Sequence, residues 1–131
     1  MTTELTMLVY ATGLLILLVL IQATAGIRSK GLMPLANSRD DLGPPVGFHA
    51  RCLRVVDNHR EGLTMFAPVV LAAAVAGVSS PMTVLGAQLF FFSRLAHAAL
   101  YLLGVPMIRP LTWGVGLVGT VMVLLATLGI I

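Results

Sequence analysis

One stretch of this chain carries arginine, asparagine and glutamate at helical spacing. It reads Arg51-Cys52-Leu53-Arg54-Val55-Val56-Asp57-Asn58-His59-Arg60-Glu61, the most charged run in the sequence. Arg54, Asn58 and Glu61 fall at i, i+4 and i+7, one face of a helix, with Arg51 on the same stripe a turn earlier. A second set, Arg94, His97 and Tyr101, falls at i, i+3 and i+7 inside an apolar segment. Facing each other, the two stripes make a site rich in guanidinium groups. Arg51, Arg54, Arg94 and Arg109 outnumber the carboxylates on these faces, and surplus positive charge in a low dielectric attracts an anion. Arginine grips carboxylates with two parallel hydrogen bonds, so a small molecule with several carboxylates suits the pattern. Asn58 and Tyr101 can add neutral hydrogen bonds. The plainer reading is a set of structural ion pairs, Glu61 with Arg94 and Arg54 with Asp57 or Asn58. It accounts for Glu61 and one arginine but leaves the surplus unexplained.

The elements that must position these residues are membrane helices. Only 10% of the residues are charged and 58% are hydrophobic, where a soluble domain carries about 25% charged residues. The length, 131 residues, fits a single domain over 1–131. Leu5 to Ile27 is 23 residues without a charge, against about 20 needed to cross a bilayer. Ala23-Thr24-Ala25 imitates a signal-peptide cleavage site, but Glu4 with no preceding Lys or Arg argues for a retained span, as does so long an apolar run. Arg28 to Gly47 reads as a loop with Lys30, Arg39, Asp40, Asp41 and the turn Gly43-Pro44-Pro45. Ser79-Ser80-Pro81 is a short turn that opens the next helix, and Gly104-Val105-Pro106 ends it. The expected architecture is an all-α integral membrane bundle of four transmembrane helices, at roughly 4–28, 47–78, 81–104 and 108–130. The first and fourth spans are clean, and the second and third carry the polar stripes.

All eight basic residues lie from Arg28 into the second helix or between Arg94 and Arg109. The positive-inside rule then puts both termini outside and the two polar stripes in the cytoplasmic half of the membrane. The net charge of +3 is read as loop topology, with no nucleic-acid partner. Arg94 sits ten residues before Gly104, which at 1.5 Å per residue is about 13 to 15 Å deep. A charge at that depth must face a bundle interior or a wet cavity and be paired. The opposite faces, Phe92, Leu95, Ala99, Leu102 and Leu103 on one helix and Val55, Val56, Leu63 and Phe66 on the other, are expected to meet lipid or a second subunit. Abundant Gly and Ala allow close helix approach, and four short helices make a thin bundle, so an oligomer is expected.

Other residues read blandly. Cys52 is a buried or lipid-facing thiol, His59 an interfacial residue, His49 a polar boundary at the helix start, and Trp113 an interfacial anchor. No His, Cys or carboxylate spacing suggests a metal. Gly114-Val115-Gly116-Leu117-Val118-Gly119 matches a dinucleotide-binding pattern but lies in an apolar span with no strand before it, so that reading is rejected. A small drug exporter would place an acid in the first span, and Leu5–Ile27 has none.

The run from Arg51 to Glu61, then Ser93-Arg94-Leu95-Ala96-His97-Ala98-Ala99-Leu100-Tyr101, then Gly104-Val105-Pro106-Met107-Ile108-Arg109, resembles the MAPEG family, the membrane-associated proteins in eicosanoid and glutathione metabolism, in a bacterial-type member. The likeness runs from Ala36-Asn37 to Arg109. It implies a four-helix bundle assembled as a homotrimer, with glutathione as co-substrate between subunits on the cytoplasmic side, in a bacterial inner membrane or its equivalent. It further implies that Arg54, Asn58 and Glu61 match the second-helix glutathione motif. Arg94 and Tyr101 match the third-helix part, and Arg109 the arginine that holds the thiolate. Arg28, Arg51 and His97 match further binding positions, and Asp40 an acidic residue near the thiol. The implied activity is a glutathione-dependent transferase or peroxidase acting on small hydrophobic electrophiles, with Arg109 and Tyr101 catalytic, membrane lipid as surroundings and no metal. The alternative is a non-catalytic relative that binds lipid or thiol, because some members catalyse nothing. Pro110 departs from the serine that follows the arginine in the prostaglandin synthase of the family, which argues against that activity.

Overall fold

The computed structural model describes residues 1–40 and 42–131; Asp41, one of the loop charges, lies outside the described residues. The described chain is all-helical: α1 Thr3–Lys30, α2 Leu32–Ala36, α3 Gly47–Val75, α4 Pro81–Leu103 and α5 Arg109–Thr127. Three of these, α1, α4 and α5, are long and apolar enough to cross a membrane. The 29-residue α3 is not among them, because Arg51, Arg54, Asp57, Arg60 and Glu61 crowd its N-terminal half.

The helix ends follow local chemistry. Thr2 caps α1 by accepting from the Leu5 N–H, and Gly31 at φ 86° turns the chain out of it. The stretch read as loop contains the short α2, whose C-terminal carbonyl at Leu35 accepts from Arg39 Nε at 2.7 Å. The second long helix stops at Val75, three residues before the expected 78. Gly77 at φ 69° there lets Val78 N–H reach back to the Ala73 carbonyl at 2.8 Å. Gly129 at φ 75° ends α5 the same way at Thr127, short of the expected 130. Ser80 and Thr83 form a reciprocal cap on α4 with Pro81 in its first turn.

Around the bundle, α1 packs on α3 and α4, and α5 packs on α4 and α3. The tightest seam is α4 against α5. A Cβ added to Gly86 would lie 2.6 Å from the Gly119 carbonyl oxygen and 2.9 Å from Val123 Cγ2, so the two backbones touch there. The Phe66 and Phe90 rings stack at 3.9 Å and join α3 to α4. One core cluster holds Met7, Ala11, Phe66, Val70, Ala87, Phe90 and Val123; the other holds Leu14, Leu18, Val55, Val56 and Ala98.

This core corrects one expectation. The helix pattern predicts lipid or a neighbour for Val55, Val56 and Phe66, yet all three are buried inside the bundle. The apolar side of α3 packs on the other helices, and its polar side faces out. On α4 the expectation fits better: Phe92, Leu95 and Leu103 are exposed, while Leu102 packs against the second core cluster.

Polar groups also pin the interior. His59, read as interfacial, is buried between α3 and α1, with Nε2 2.8 Å from the Ala11 carbonyl oxygen. At the N-terminal end of α1, the Glu4 carboxylate is 2% exposed and accepts from the Ser79 and Thr83 hydroxyls. That places a buried acid at the N-terminus of α4, where the helix dipole favours it.

Candidate functional site

The outward polar face of α3 meets the inner face of α4 at its edge, through Asn58. Arg94 is 2% exposed, and its Nη2 donates to Asn58 Oδ1 at 2.7 Å. Room for so large a side chain comes from two glycines. A Cβ on Gly62 would lie 3.7 Å from Arg94 Nε, and one on Gly116 would lie 3.2 Å from Arg94 Cδ. Two glycines of the rejected dinucleotide pattern therefore have a packing role: Gly116 makes a slot for Arg94, and Gly119 lets α4 approach. Trp113, read as a membrane anchor, is half-buried and borders the same space.

The expected Arg94–Glu61 ion pair is absent among the described residues. Asn58 holds Arg94 instead, one turn closer to the charged start of α3, and Glu61 stays exposed. Arg54 does not pair with Asp57 either; the carboxylate of Asp57 takes Arg60. That leaves Arg54 exposed with no acid partner among the described residues.

Toward the C-terminal end of α4 the side chains converge on one ring. The Arg109 guanidinium carbon stands 4.6 Å from the centre of the Tyr101 ring and that of Arg54 stands 6.0 Å from it. Both lie within cation–π range, the nearer one firmly. His97, buried at 3% exposure, lies 5.5 Å from Tyr101 ring to ring. Arg109 reaches the ring because it is the first residue of α5, directly after the break at Gly104–Ile108. Arg51 packs across the end of α4: a Cβ on Gly104 would lie 3.7 Å from its guanidinium carbon, and the Phe48 ring is 5.7 Å away. A cation there meets the negative end of the helix dipole.

The structure thus brings Arg54, His97, Tyr101 and Arg109 into one group and Asn58 with Arg94 into an adjoining one. Arg51 closes the end. Arg28 stands apart, lining a cavity of about 540 Å³ with Phe48 and His49. Asp40 also stands apart, in a recess with Met33, Asn37 and Ser38. Two features went unread in the sequence: the Gly62 and Gly116 slots for Arg94, and the Glu4 tie at the far end. The first had a signal in the small residues facing a deep arginine. The second had one in an acid at a helix start and a Ser-Pro-x-Thr cap placed at the same end of the bundle.

Chemically, the cluster is a cationic face with one aromatic phenol and few acids. The charge and hydrogen-bonding pattern of such a face are complementary to a carboxylate-bearing molecule, and Arg109 beside Tyr101 can stabilise a developing anion. The model of the MAPEG family matches residues 5–129 of the 131. Comparison with curated proteins and with solved structures gives no match. A match of that extent, over apolar helices and this arginine pattern, makes the chain an integral membrane protein that belongs to the MAPEG family, the membrane-associated proteins in eicosanoid and glutathione metabolism.

Proposed function

We propose that the chain is a glutathione-dependent membrane transferase or peroxidase for small hydrophobic electrophiles. The observation that carries this reading is the pair of guanidinium groups, Arg54 and Arg109, gathered on Tyr101 without a carboxylate partner among the described residues. Glutathione has two carboxylates for Arg51 and Arg54 to grip bidentately, and an ammonium group for the exposed Glu61. Asn58 and His97 complete the binding set in this reading, with Arg94 holding Asn58 in place; Arg28, which lines a separate cavity, lies outside it.

The thiol must be a thiolate to attack. Arg109 favours the anion by its charge, and the Tyr101 hydroxyl donates a hydrogen bond to it. In conjugation, sulfur forms a bond to the electrophilic carbon, the leaving group departs with its electron pair, and the thiol proton goes to solvent. With a hydroperoxide, sulfur attacks the outer oxygen and the O–O bond breaks; a second glutathione then closes the disulfide, leaving alcohol and water.

The exposed polar face of α3 suits a neighbouring subunit, so the working unit in this proposal is a homotrimer with glutathione between protomers. In the same proposal α3 crosses the membrane as a fourth span, its charges sheltered by that assembly. The basic ends of the helices lie in the cytoplasm and both termini outside.

The test is purified protein in nanodiscs with glutathione and either an aryl halide or an organic hydroperoxide. Saturable turnover that Arg109→Ala abolishes supports the proposal. Glutathione binding without turnover in either assay selects the non-catalytic alternative. No binding of glutathione at millimolar concentration sinks the glutathione reading, catalytic or not, and leaves only a member that binds lipid or another thiol.

A further inference from the structure

A second basic site lies away from the guanidinium cluster. Between the last turns of α1, the α2 segment and the start of α3 there is a cavity of about 490 Å³. That is within the roughly 300–1,000 Å³ range of small-molecule sites. Its walls are largely apolar, with Gly26 and Ile27 from α1, Leu35 from α2, Leu42 from the segment after it, and Leu53 from α3. On α1 the lining runs from Gln22 to Lys30, about 12 Å along the axis.

The charged groups of the lining, among the described residues, are of one sign. Lys30 and Arg39 both line the cavity, and no carboxylate lines it among the described residues. Neither forms an ion pair with a described residue; the one ion pair among the described residues is Arg60–Asp57. Arg39 uses only Nε, on the Leu35 carbonyl. His49, which packs on Gly26 at the cavity wall, has a buried Nδ1 with no partner. The dipole of α1 takes up part of the Lys30 charge, but it offers nothing to Arg39 or to His49.

A second cavity, of about 540 Å³, runs along the other side of α1. It shares His49 and ends on another cation, Arg28. Two apolar grooves with a basic rim match a lipid with two chains and an anionic head. Basic pockets between membrane helices are sites for such headgroups.

We propose that this region binds an anionic phospholipid. One acyl chain lies in the groove under α2 with the phosphate at Lys30 and Arg39, and the other chain follows the Arg28 groove. The site is distinct from the Arg54–Tyr101–Arg109 cluster and does not depend on the chain being an enzyme.

The experiment is native mass spectrometry of the full chain from nanodiscs of phosphatidylcholine doped with phosphatidylglycerol. A photoreactive phosphatidylglycerol maps the contact in the same preparation. The expected result is retained phosphatidylglycerol where phosphatidylcholine washes off, with labels confined to residues 20–53. K30Q with R39Q should weaken retention roughly tenfold or more. Lys30→Gln alone, a change at a half-buried rim residue that spares the Arg39 contact with Leu35, should weaken it several-fold. Arg54→Ala should leave retention unchanged. Equal retention of the two lipids, labels on α4 or α5, or wild-type retention in both rim variants overturns the proposal. So does displacement of phosphatidylglycerol by an equimolar single-chain fatty acid, which would assign the cavity to free carboxylates.

Discussion

The two ends of α4 hold opposite kinds of polar structure. At its N-terminus, Glu4 is buried and held by the short side chains of Ser79 and Thr83, and the group sits against a helix dipole of the right sign. At its C-terminus, long arginine side chains gather on Tyr101, and the acids nearby are exposed or engaged elsewhere. The first arrangement uses its charge to tie α1 to the turn before α4. The second leaves charge to spare. A matched, enclosed charge holds a bundle together, whereas a surplus on an open face is free to bind something. Arg94 is the intermediate case: it belongs to the basic end by sequence and to the enclosed kind by contact, since Asn58 holds it inside the bundle.

That intermediate position gives the largest expected effect. Asn58→Leu would leave the Arg94 guanidinium buried without its acceptor, which should cost about 3 kcal/mol or more of stability. Arg94→Met removes the charge itself and should be close to neutral for stability, because an apolar replacement of similar volume also removes the desolvation cost. Thermal unfolding in detergent compares the two. If Arg94→Met is the more damaging change, the guanidinium itself holds the helices together; if neither change moves the melt, Arg94 belongs to the open kind after all.

Next in size is Arg109→Ala. Loss of a charge-assisted contact to ligand is worth about 1.5–3 kcal/mol, or roughly ten- to hundredfold in glutathione affinity. The melting temperature should move little, since the Arg109 guanidinium makes no ion pair among the described residues and its contact with the Tyr101 ring is a cation–π one. Isothermal titration beside a melt separates the two readouts. Glu4→Ala should do the reverse. It strips an acceptor from the Ser79 and Thr83 hydroxyls and should cost about 1–3 kcal/mol of stability. Glutathione affinity measured well below the melting temperature should stay at the wild-type value. A variant that moved both readouts at either end would erase the contrast between them.

The sequence exposed some of this and hid the rest for physical reasons. Depth and charge together require Arg94 to be inside and paired, and it is. They do not choose between Asn58 and Glu61, which lie within a turn of each other on one stripe; glycines at 62 and 116 settle the choice by where they leave space. The stripe on α3 also marked its polar face correctly while misplacing the other. In an apolar chain a hydrophobic face fits lipid and core alike, and only the packing of Val55, Val56 and Phe66 decides for the core. The five-residue α2 is too short for any periodicity to show. Glu4 looked like a mere absence of basic charge at the start of the chain, because its partners are some eighty residues away.

The smallest effect is the most specific check on what the open face is for. Asp57 and Arg60 form an ion pair there, with side chains 70% and 62% exposed. If the polar side of α3 existed to be laced by ion pairs, this pair would be its best example. An exposed pair one turn apart on a helix is worth about 0–1 kcal/mol, because solvent screens it and two long side chains lose freedom to make it. Asp57→Asn should therefore change the melting temperature of the detergent-solubilised protein by a degree or two, near the limit of the measurement. Glutathione affinity should hold or rise slightly, since one competing carboxylate has left an arginine-rich face. A clear loss of affinity in Asp57→Asn would mean that the face works as a balanced network, and that its unpaired arginines were not the feature that mattered.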